Sequence, residues 1–278
     1  MPKYCYLNGK VIPEEKAKVS INDIGLLRGY GVFDYLRTYN GKPFLLNEHL
    51  ARFEKSAKSL NLKVPASKKE VGNIILSLLA KNKIEDAAIR IVLTGGESQN
   101  GITCDYDCPT FFITTKELPE CPPHIYEKGV KMITCEHQRE KPEAKSNNYA
   151  TMMSLMGLKE KKKAFEILYT SKGFVLEGAT CNFFIFKNNS LITAKENILH
   201  GTRRGLILKL AKNKFKVIER PLKLKEALGA SEAFISSTSR GIVPVVKIDD
   251  NKIGNGKVGE NTRYLMNIFW EYINKVNK

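Results

Sequence analysis

The sequence predicts a two-domain α+β protein. Hairpin and strand patterns precede helical patterns in the first third of the chain, and short strands alternate with helices in the second half. Between these regions, Glu117–His124 holds three prolines in eight residues, and proline removes backbone donors and blocks helices. We therefore expect an N-terminal domain over residues 1–116, a linker over 117–125 and a C-terminal domain over 126–278. A chain of 278 residues suits two domains of ordinary size.

Two Asn-Gly pairs, Asn8-Gly9 and Asn40-Gly41, predict hairpins near the start of the chain. Asn-Gly favours the tight turns whose twist matches that of paired strands. The runs on either side have the composition of strands: Tyr4–Leu7, Val11–Ile12, Val32–Tyr39 and Lys42–Leu46. Further strands are expected at Ala87–Thr94 and Thr110–Thr115.

Two amphipathic helices should lie between these strands. Asn47 is a candidate N-cap for the first helix, whose apolar residues share one face: Leu50, Phe53, Ala57 and Leu60. Ser67 and Glu70 have the spacing of a capping box, in which each side chain bonds the other residue's backbone N–H. The helix that follows has its own apolar face: Val71, Ile74, Ile75, Leu78 and Leu79.

The C-terminal half reads as a mixed domain. Strands are expected at Val130–Thr134, Ile167–Thr170, Phe174–Leu176, Asn182–Phe186 and Leu191–Thr193, near Val217 and at Ala233–Ser236. Helices are expected at Tyr149–Leu158, from about Thr202 to Ala211, and at the C-terminus, where the apolar residues have helical spacing: Tyr264, Leu265, Ile268, Phe269, Tyr272 and Ile273.

Composition and charge narrow the class of protein. Hydrophobic residues make up 42% of the chain and charged residues 27%, which is ordinary globular usage and excludes a disordered chain. The apolar runs are too short to span a bilayer, and the N-terminal residues lack the apolar core of a signal peptide. We therefore expect a cytoplasmic protein with no membrane partner.

The net charge of +16 fits either a nucleic-acid partner or a lysine-rich surface around a site for small anions. The densest basic run, Lys159–Lys163, contains no aromatic residue, which favours a solvated helix end and no nucleic-acid partner. Six cysteines are too few for a disulfide scaffold. Cys104 and Cys108 lie close together, but no second Cys or His pair has zinc spacing, so we expect no metal site. The sequence also lacks a phosphate-binding P-loop, a His-Glu-x-x-His motif and a Gly-x-Ser-x-Gly motif.

Four segments look unlike ordinary scaffold. Lys145 lies in a polar stretch that enters a helix, and Glu177 ends a strand at a glycine. Gly201 and Thr202 open a helix, where backbone N–H groups converge and favour an anion such as a phosphate. Ser237-Thr238 ends a strand in hydroxyl groups that suit the same ligand.

Five motifs follow one another in a fixed order: Asn47-Glu-His49-Leu-Ala-Arg52-Phe, Lys145-x-x-Asn-Tyr149, Glu177-Gly-x-x-x-Asn182, Leu199-x-Gly201 before a helix, and Ser237-Thr238. Each motif is weak alone, but this order resembles the class IV aminotransferases, a fold-type-IV group that depends on pyridoxal 5′-phosphate. The group includes D-amino-acid aminotransferases, branched-chain aminotransferases and aminodeoxychorismate lyases. The resemblance covers the chain from Ile21 to about residue 265 and implies the two-domain fold-type-IV architecture and a homodimer.

The resemblance also implies roles for individual residues. Lys145 would form a Schiff base with the cofactor and then move the proton, and Glu177 would hold the proton on the pyridine nitrogen. Arg52 would bind the cofactor phosphate as a fork of donors. Further phosphate contacts are expected from Gly201, Thr202, Arg203, Ser237 and Thr238. The family commonly has threonine where this chain has Arg203, so the phosphate contact there is expected from the backbone. The alternative for Arg52 is a solvated surface arginine.

Two arginines bear on the substrate. Strand alternation places Arg90 as the one charge among apolar neighbours, and Arg28 is similarly embedded. A buried guanidinium needs an anionic partner, which is either a structural carboxylate, Asp23 or Asp34, or the substrate. The pair resembles a variant branch of D-amino-acid aminotransferases in which both arginines face the substrate carboxylate.

The Arg-x-His device of the well-known D-amino-acid type is absent after Thr94. The first expectation is a transaminase that uses a D-amino acid, such as D-alanine or D-glutamate, and a 2-oxo acid, with Phe33 and Tyr149 in the substrate pocket. An L-branched-chain aminotransferase stays open, because Tyr149 matches the position of an active-site tyrosine in that type. An aminodeoxychorismate lyase stays open because it uses the same lysine and cofactor.

Overall fold

The computed structural model describes residues 3–277, which divide into two compact units. The first contains residues 3–119 together with Ala144–Tyr149 and Asn277, and the second contains Glu120–Glu143 and Ala150–Val276. The segment Ala144–Tyr149 therefore clusters with the first unit, whereas the sequence analysis assigns it to the C-terminal domain. This difference matters because the segment contains Lys145.

An antiparallel sheet forms the frame of the first unit. Its strands are Tyr4–Leu7 (β1), Lys10–Pro13 (β2), Gly31–Tyr39 (β3), Lys42–Pro43 (β4), Ala87–Thr94 (β5) and Phe111–Glu117 (β6). They pair in the order β2-β1-β6-β5-β3-β4. Both predicted hairpins are confirmed, and the residues of each Asn-Gly pair have the positive φ angles that such turns require. Strand β4 is shorter than predicted, because Leu46 already begins a helix.

The helices of this unit are Ile24–Arg28 (α1), Leu46–Ser59 (α2) and Lys68–Asn82 (α3), with a 3-10 turn at Glu14–Lys16. The capping box of α3 is confirmed: Ser67 Oγ accepts from the N–H of Glu70, and the Glu70 carboxylate accepts from the N–H of Ser67. The predicted cap of α2 is wrong. Leu45 occupies the N-cap position with a φ of 56°, so the chain enters α2 through a left-handed residue, and Asn47 lies in the first helical turn.

Alternation along β3 sorts its side chains between two faces of the sheet. Val32, Asp34 and Leu36 are buried, whereas Phe33 and Tyr35 are only half-buried. The apolar members of the buried face pack in a core with side chains of α2 and α3. Strand β3 thus separates this core from a more open face.

A mixed sheet forms the frame of the second unit. Its strands are Val130–Glu136 (β7), Glu166–Ser171 (β8), Phe174–Gly178 (β9), Asn182–Lys187 (β10), Ser190–Thr193 (β11), Lys216–Glu219 (β12), Leu222–Lys223 (β13), Glu232–Ser237 (β14), Gly241–Ile248 (β15) and Asn251–Lys252 (β16). The order is β12-β11-β10-β14-β15-β7-β8-β9-β13, and β16 pairs with β15. The sequence analysis missed β15 because Pro244, which pairs in register with Phe234, weighs against an internal strand.

The helices of the second unit are His124–Glu127 (α4), Ala150–Ser154 (α5), Met156–Lys161 (α6), Thr202–Ala211 (α7), Leu224–Leu228 (α8) and Glu260–Val276 (α9). The single helix predicted over Tyr149–Leu158 is wrong. A turn at Leu155 interrupts it, and the N–H of Leu155 is shared between the carbonyls of Thr151 and Met152, as at helix ends. None of the helices within residues 3–277 is both long and apolar enough to cross a bilayer.

We predict that Ser67→Ala lowers the free energy of unfolding by about 1 kcal/mol, because it removes the N-cap of α3. The matched control is Asn47→Ala in the first turn of α2, which removes no cap and introduces a better helix former, so stability should hold or rise slightly. Urea unfolding of the three proteins measures both effects. An equal loss in the two variants would contradict the assignment of the caps.

Candidate active site

The backbone around Lys145 runs beside β3 and forms an isolated β-bridge with it, between Ser146 and Val32. The N–H of Phe33 donates to the carbonyl of Lys145 at 2.9 Å, and the N–H of Asn147 donates to the carbonyl of Gly31 at 2.9 Å. The N–H of Lys145 donates to Ser56 Oγ of α2 at 3.1 Å. A Cβ atom on Gly31 would lie 2.6 Å from the Asn147 side chain and 2.8 Å from the backbone carbonyl oxygen of Leu93, so this position requires glycine. Backbone hydrogen bonds therefore hold Lys145 in place independently of its side chain.

The side chain of Lys145 points to the open face of β3. Its Nζ lies 4.4 Å from the centre of the Phe33 ring, a cation–π contact. Tyr149 meets the same ring edge-on, with the ring centres 5.6 Å apart. Arg90 of β5 pairs in register with Tyr35, and its Cζ lies 5.4 Å from the Phe33 ring centre and 5.7 Å from that of Tyr35. The first unit thus brings together Phe33, Arg90, Lys145 and Tyr149, all of which the sequence analysis selects.

Arg90 and Arg28 are exposed, so the expectation of buried guanidinium groups is wrong. Strand alternation predicts which face of β5 carries Arg90. It does not predict that this face is exposed at Arg90. Arg28 ends α1, and its Nη1 donates to the carbonyl of Leu27 at 3.2 Å. Within the described residues 3–277, neither arginine has an acidic partner. Asp23 instead caps α1 and accepts from Thr94 Oγ1 at 2.9 Å.

Arg52 is held by Asp34, a carboxylate in the core between β3 and α2. Arg52 Nε donates to Asp34 Oδ2 at 2.9 Å, and Nη2 donates to Oδ1 at 2.8 Å. His49 Nδ1 lies 2.7 Å from the same Oδ1. Burial alone would raise the pKa of Asp34, but the charges and hydrogen bonds of Arg52 and His49 outweigh burial and hold this pKa below its usual value. The alternative of a solvated surface arginine is wrong, because the Arg52 side chain is only 11% exposed.

In the second unit, Glu177 is buried at the end of β9 and both carboxylate oxygens are occupied. Oε1 accepts from Arg139 Nε at 3.1 Å and from Nη2 at 2.6 Å, while Oε2 accepts from the N–H of Leu199 at 2.9 Å. The sequence analysis missed Arg139. The one signal in the sequence is that Arg139 follows shortly after a strand. Its partner Glu177 lies 38 residues away, so the pair cannot be predicted from local sequence.

The segment after Leu199 leads directly into α7. Asn182 of β10 donates to the carbonyl of Leu199 at 2.7 Å. The N-cap of α7 is Gly201, which supplies no capping side chain, and a Cβ there would lie 2.3 Å from Asn182 Oδ1. Glu177, Asn182, Leu199 and Gly201 therefore form one connected group at the positive end of a helix.

Arg203 has a different environment from the other predicted phosphate residues. Its side chain is buried, and its Cζ lies 6.0 Å from the centre of the Phe269 ring on α9. The arginine that replaces the family's usual threonine therefore packs between two helices, while its backbone stays in the first turn of α7.

The hydroxyl groups at the end of β14 belong to a second polar cluster. Ser237 Oγ accepts from Arg240 Nε at 3.1 Å, and Arg240 Nη2 donates to Glu166 Oε2 at 3.3 Å and to Thr180 Oγ1 at 2.5 Å. Thr238 follows in the turn after β14 and is half-buried. Arg240 thus ties the segment after Glu177 to the segment that carries Ser237 and Thr238.

Comparison with known proteins identifies the family of this chain. The model of the family "Amino-transferase class IV" matches residues 31–248. The chain belongs to this family. It is 40% identical, over 95% of its length and 94% of the relative's, to a putative branched-chain-amino-acid aminotransferase of Methanocaldococcus jannaschii. It is 33% identical to the D-alanine aminotransferase of Staphylococcus aureus strain N315, over 96% of this chain and 97% of that protein.

A solved branched-chain amino acid aminotransferase of Escherichia coli is 25% identical and superposes with a TM-score of 0.91, covering 98% of this chain and 94% of that one. The predicted resemblance and fold class are confirmed. The protein is an aminotransferase that uses pyridoxal phosphate. Each unit holds groups that fit that cofactor. The first unit has the Lys145 amine, and the second has the buried Glu177 carboxylate and the start of α7, where backbone N–H groups favour an anion.

We predict that Asp34 makes stability depend on acid pH. Because its pKa is lower in the folded than in the unfolded protein, Asp34 contributes its full stabilisation well above the unfolded value of about 3.9, and this contribution is lost as the pH falls through that value towards the folded pKa. Asp34→Asn should therefore flatten the dependence of the unfolding free energy on pH below about pH 4. Urea unfolding of both proteins from neutral to acid pH measures the slopes. Identical slopes would show that Asp34 titrates normally.

Proposed function

We propose that this class IV aminotransferase moves an amino group from a D-amino acid, such as D-alanine or D-glutamate, to a 2-oxo acid. The observation that carries the proposal is the position of Arg90. Its guanidinium is exposed and lies against the ring of Phe33, which Lys145 also contacts. A buried arginine would need a resident acid, whereas this one is available to a carboxylate from solution. The D-preference is supported by the resemblance of the Arg28 and Arg90 motifs to the variant D-amino-acid branch, and by similarity to a D-alanine aminotransferase.

The chemistry assigned to the chain's own groups is proton control. Bound pyridoxal phosphate supplies an electron sink for the substrate's Cα–H bond. Lys145 would hold the cofactor covalently and move the proton from Cα with its amine. Glu177 would keep a proton on the pyridine nitrogen, and the two N–H groups of Arg139 keep this carboxylate oriented.

The phosphate is assigned to groups that donate hydrogen bonds. Arg52 offers a guanidinium already held in place by Asp34. The backbone at Gly201, Thr202 and Arg203 offers the positive end of α7. We add the hydroxyl groups of Ser237 and Thr238 at the end of β14. We also propose, from the family resemblance, that the enzyme acts in the cytoplasm as a homodimer.

An L-branched-chain aminotransferase is the second candidate. It is favoured by the 40% identity to the relative named as a putative branched-chain-amino-acid aminotransferase. The edge-on contact of Tyr149 with Phe33 suits this candidate as well, because an aromatic wall would also accept a branched aliphatic side chain. The two candidates share Lys145 and the cofactor and differ in the chirality of the amino acid.

We predict that Lys145→Ala loses the borohydride-stable attachment of pyridoxal phosphate, because only a lysine amine forms the reducible bond. Lys141→Ala is the matched control, since Lys141 is exposed four residues earlier and should leave the attachment intact. Mass spectrometry of the reduced and digested proteins gives the labelled residue. A label on Lys141, or one that persists in Lys145→Ala, would overturn the assignment of the lysine.

We predict that Arg90→Ala and Arg28→Ala each lower kcat/KM by about tenfold to a hundredfold, the effect of losing about 1.5–3 kcal/mol of charge-assisted hydrogen bonding. The absorbance of the bound cofactor should not change, and the double variant should lose less than the sum of both effects. Arg263→Ala, at an exposed position of α9, is the control and should behave as wild type. Single variants with unchanged kcat/KM would remove these arginines from the substrate site.

A further inference from the structure

Asp34 is a charged side chain at a place where the surrounding core is apolar. It projects from β3 to the buried face, among residues of the core that α2 and α3 cover. Its Oδ1 accepts from the N–H of Tyr35 at 2.7 Å, and also contacts His49 Nδ1 and Arg52 Nη2. Its Oδ2 accepts from Arg52 Nε. Backbone and imidazole contacts therefore fix the carboxylate, and the carboxylate fixes the arginine.

The pair uses only one edge of the guanidinium. Arginine has five N–H groups in a rigid plane, and the fork to Asp34 occupies the edge formed by Nε and Nη2. Within residues 3–277, no acceptor bonds Arg52 Nη1. The side chain is 11% exposed, and Nη1 does not belong to the fully buried nitrogens that lack a hydrogen bond, so the end-on edge formed by Nη1 and Nη2 is open to solution at Nη1. Two parallel N–H groups on that edge match the spacing of two oxygens of a phosphate.

We infer that Asp34 and His49 are positioning residues that hold the end-on edge of Arg52 ready for the phosphate group of the cofactor. The inference rests on the proposed role of Arg52. An arginine side chain has many rotamers, and immobilising it on binding costs free energy. In this structure, Asp34 of β3 already orders the side chain of Arg52 on α2, so phosphate binding does not have to order it.

Two effects of Asp34 on phosphate binding have opposite signs. Its negative charge repels a phosphate, whereas its fork keeps the arginine oriented. If orientation dominates, Asp34→Asn weakens phosphate binding, and if charge repulsion dominates, the same substitution strengthens it. A carboxylate that only fastens α2 to β3 would affect folding but would not distinguish ligands with and without a phosphate. The direction of the change in affinity therefore separates positioning from the other roles.

The experiment compares pyridoxal phosphate with pyridoxal, which has the same ring but no phosphate. The quantity measured is the dissociation constant of pyridoxal divided by that of pyridoxal phosphate, so a larger ratio means a stronger preference for the phosphate. Both constants are obtained by equilibrium dialysis of the full-length protein after cofactor removal. Asp34→Asn should reduce the preference for pyridoxal phosphate about three- to tenfold, the effect of losing one pre-ordered side chain. Arg52→Ala should reduce the preference further, and adding Asp34→Asn to Arg52→Ala should change nothing more. His49→Gln should act in the same direction as Asp34→Asn but more weakly.

Glu226→Gln is the control, because Glu226 also holds an arginine by two hydrogen bonds: it accepts from Nη1 and Nη2 of Arg220 in the second unit. It should leave the ratio at the wild-type value. A ratio that is unchanged or increased in Asp34→Asn, while Arg52→Ala lowers it, overturns the positioning role and leaves the proposed function standing. An unchanged ratio in Arg52→Ala overturns the assignment of Arg52 to the phosphate, and the inference with it.

A second measurement needs no variant and so covers the case in which Asp34→Asn does not fold. In the nuclear magnetic resonance spectrum of the cofactor-free protein, the Nε–H of Arg52 should exchange slowly with water, unlike that of the exposed Arg263. Added inorganic phosphate should shift the Nη signals of Arg52 and leave those of Arg263 in place. Equal exchange rates for the two arginines, or no phosphate-dependent shift at Arg52, would overturn the inference.

Discussion

The contact between β3 and the segment that carries Lys145 is the interaction on which the candidate site of the first unit depends. Two backbone hydrogen bonds, at Phe33 and Gly31, hold that segment beside β3, where Ser146 forms an isolated β-bridge with Val32. Because side chains alternate along a strand, one face of β3 offers Phe33 and Tyr35 to Lys145 and Arg90, while the other face offers Asp34 to Arg52. A single strand therefore organises both the proposed substrate residues and the proposed phosphate arginine.

In the second unit, the carboxylate of Glu177 is held in one orientation by two partners. Its two oxygens bind a guanidinium on one side and a backbone N–H on the other, so the carboxylate has one orientation. That N–H belongs to Leu199, whose carbonyl is held by Asn182, and Asn182 in turn packs against the glycine that starts α7. Displacing Glu177 would therefore disturb the start of α7 as well. This linkage gives a physical reason for the short spacing from Glu177 to Asn182 in the family motif.

Much of the local structure could be predicted from the sequence, because the interactions that set it lie within a few residues. The Asn-Gly turns and the capping box at Ser67 depend on such short-range contacts. The predicted bounds of α7, Thr202–Ala211, also match the structure, although the start of this helix has partners farther away in the chain. Contacts between residues that lie far apart along the chain could not be predicted. Arg139 and Glu177 are 38 residues apart, and Ser56 and Lys145 are 89 residues apart. The motif order selected Lys145, Glu177 and Arg52, but not the residues that hold them, and their roles stay predictions. Strand alternation also failed at Arg90, since it identifies a face without showing what covers it.

We propose that Arg28 and Arg90 bind the carboxylate of a D-amino acid. The most direct test mixes the wild-type enzyme, loaded with pyridoxal phosphate, with a single amino acid and follows the absorbance of the bound cofactor during one half-reaction. D-Alanine, D-glutamate, L-leucine and L-valine are compared at equal concentrations. We expect both D-amino acids to convert the bound cofactor faster than either L-amino acid does. Faster conversion by L-leucine or L-valine would contradict it and identify the enzyme as a branched-chain aminotransferase.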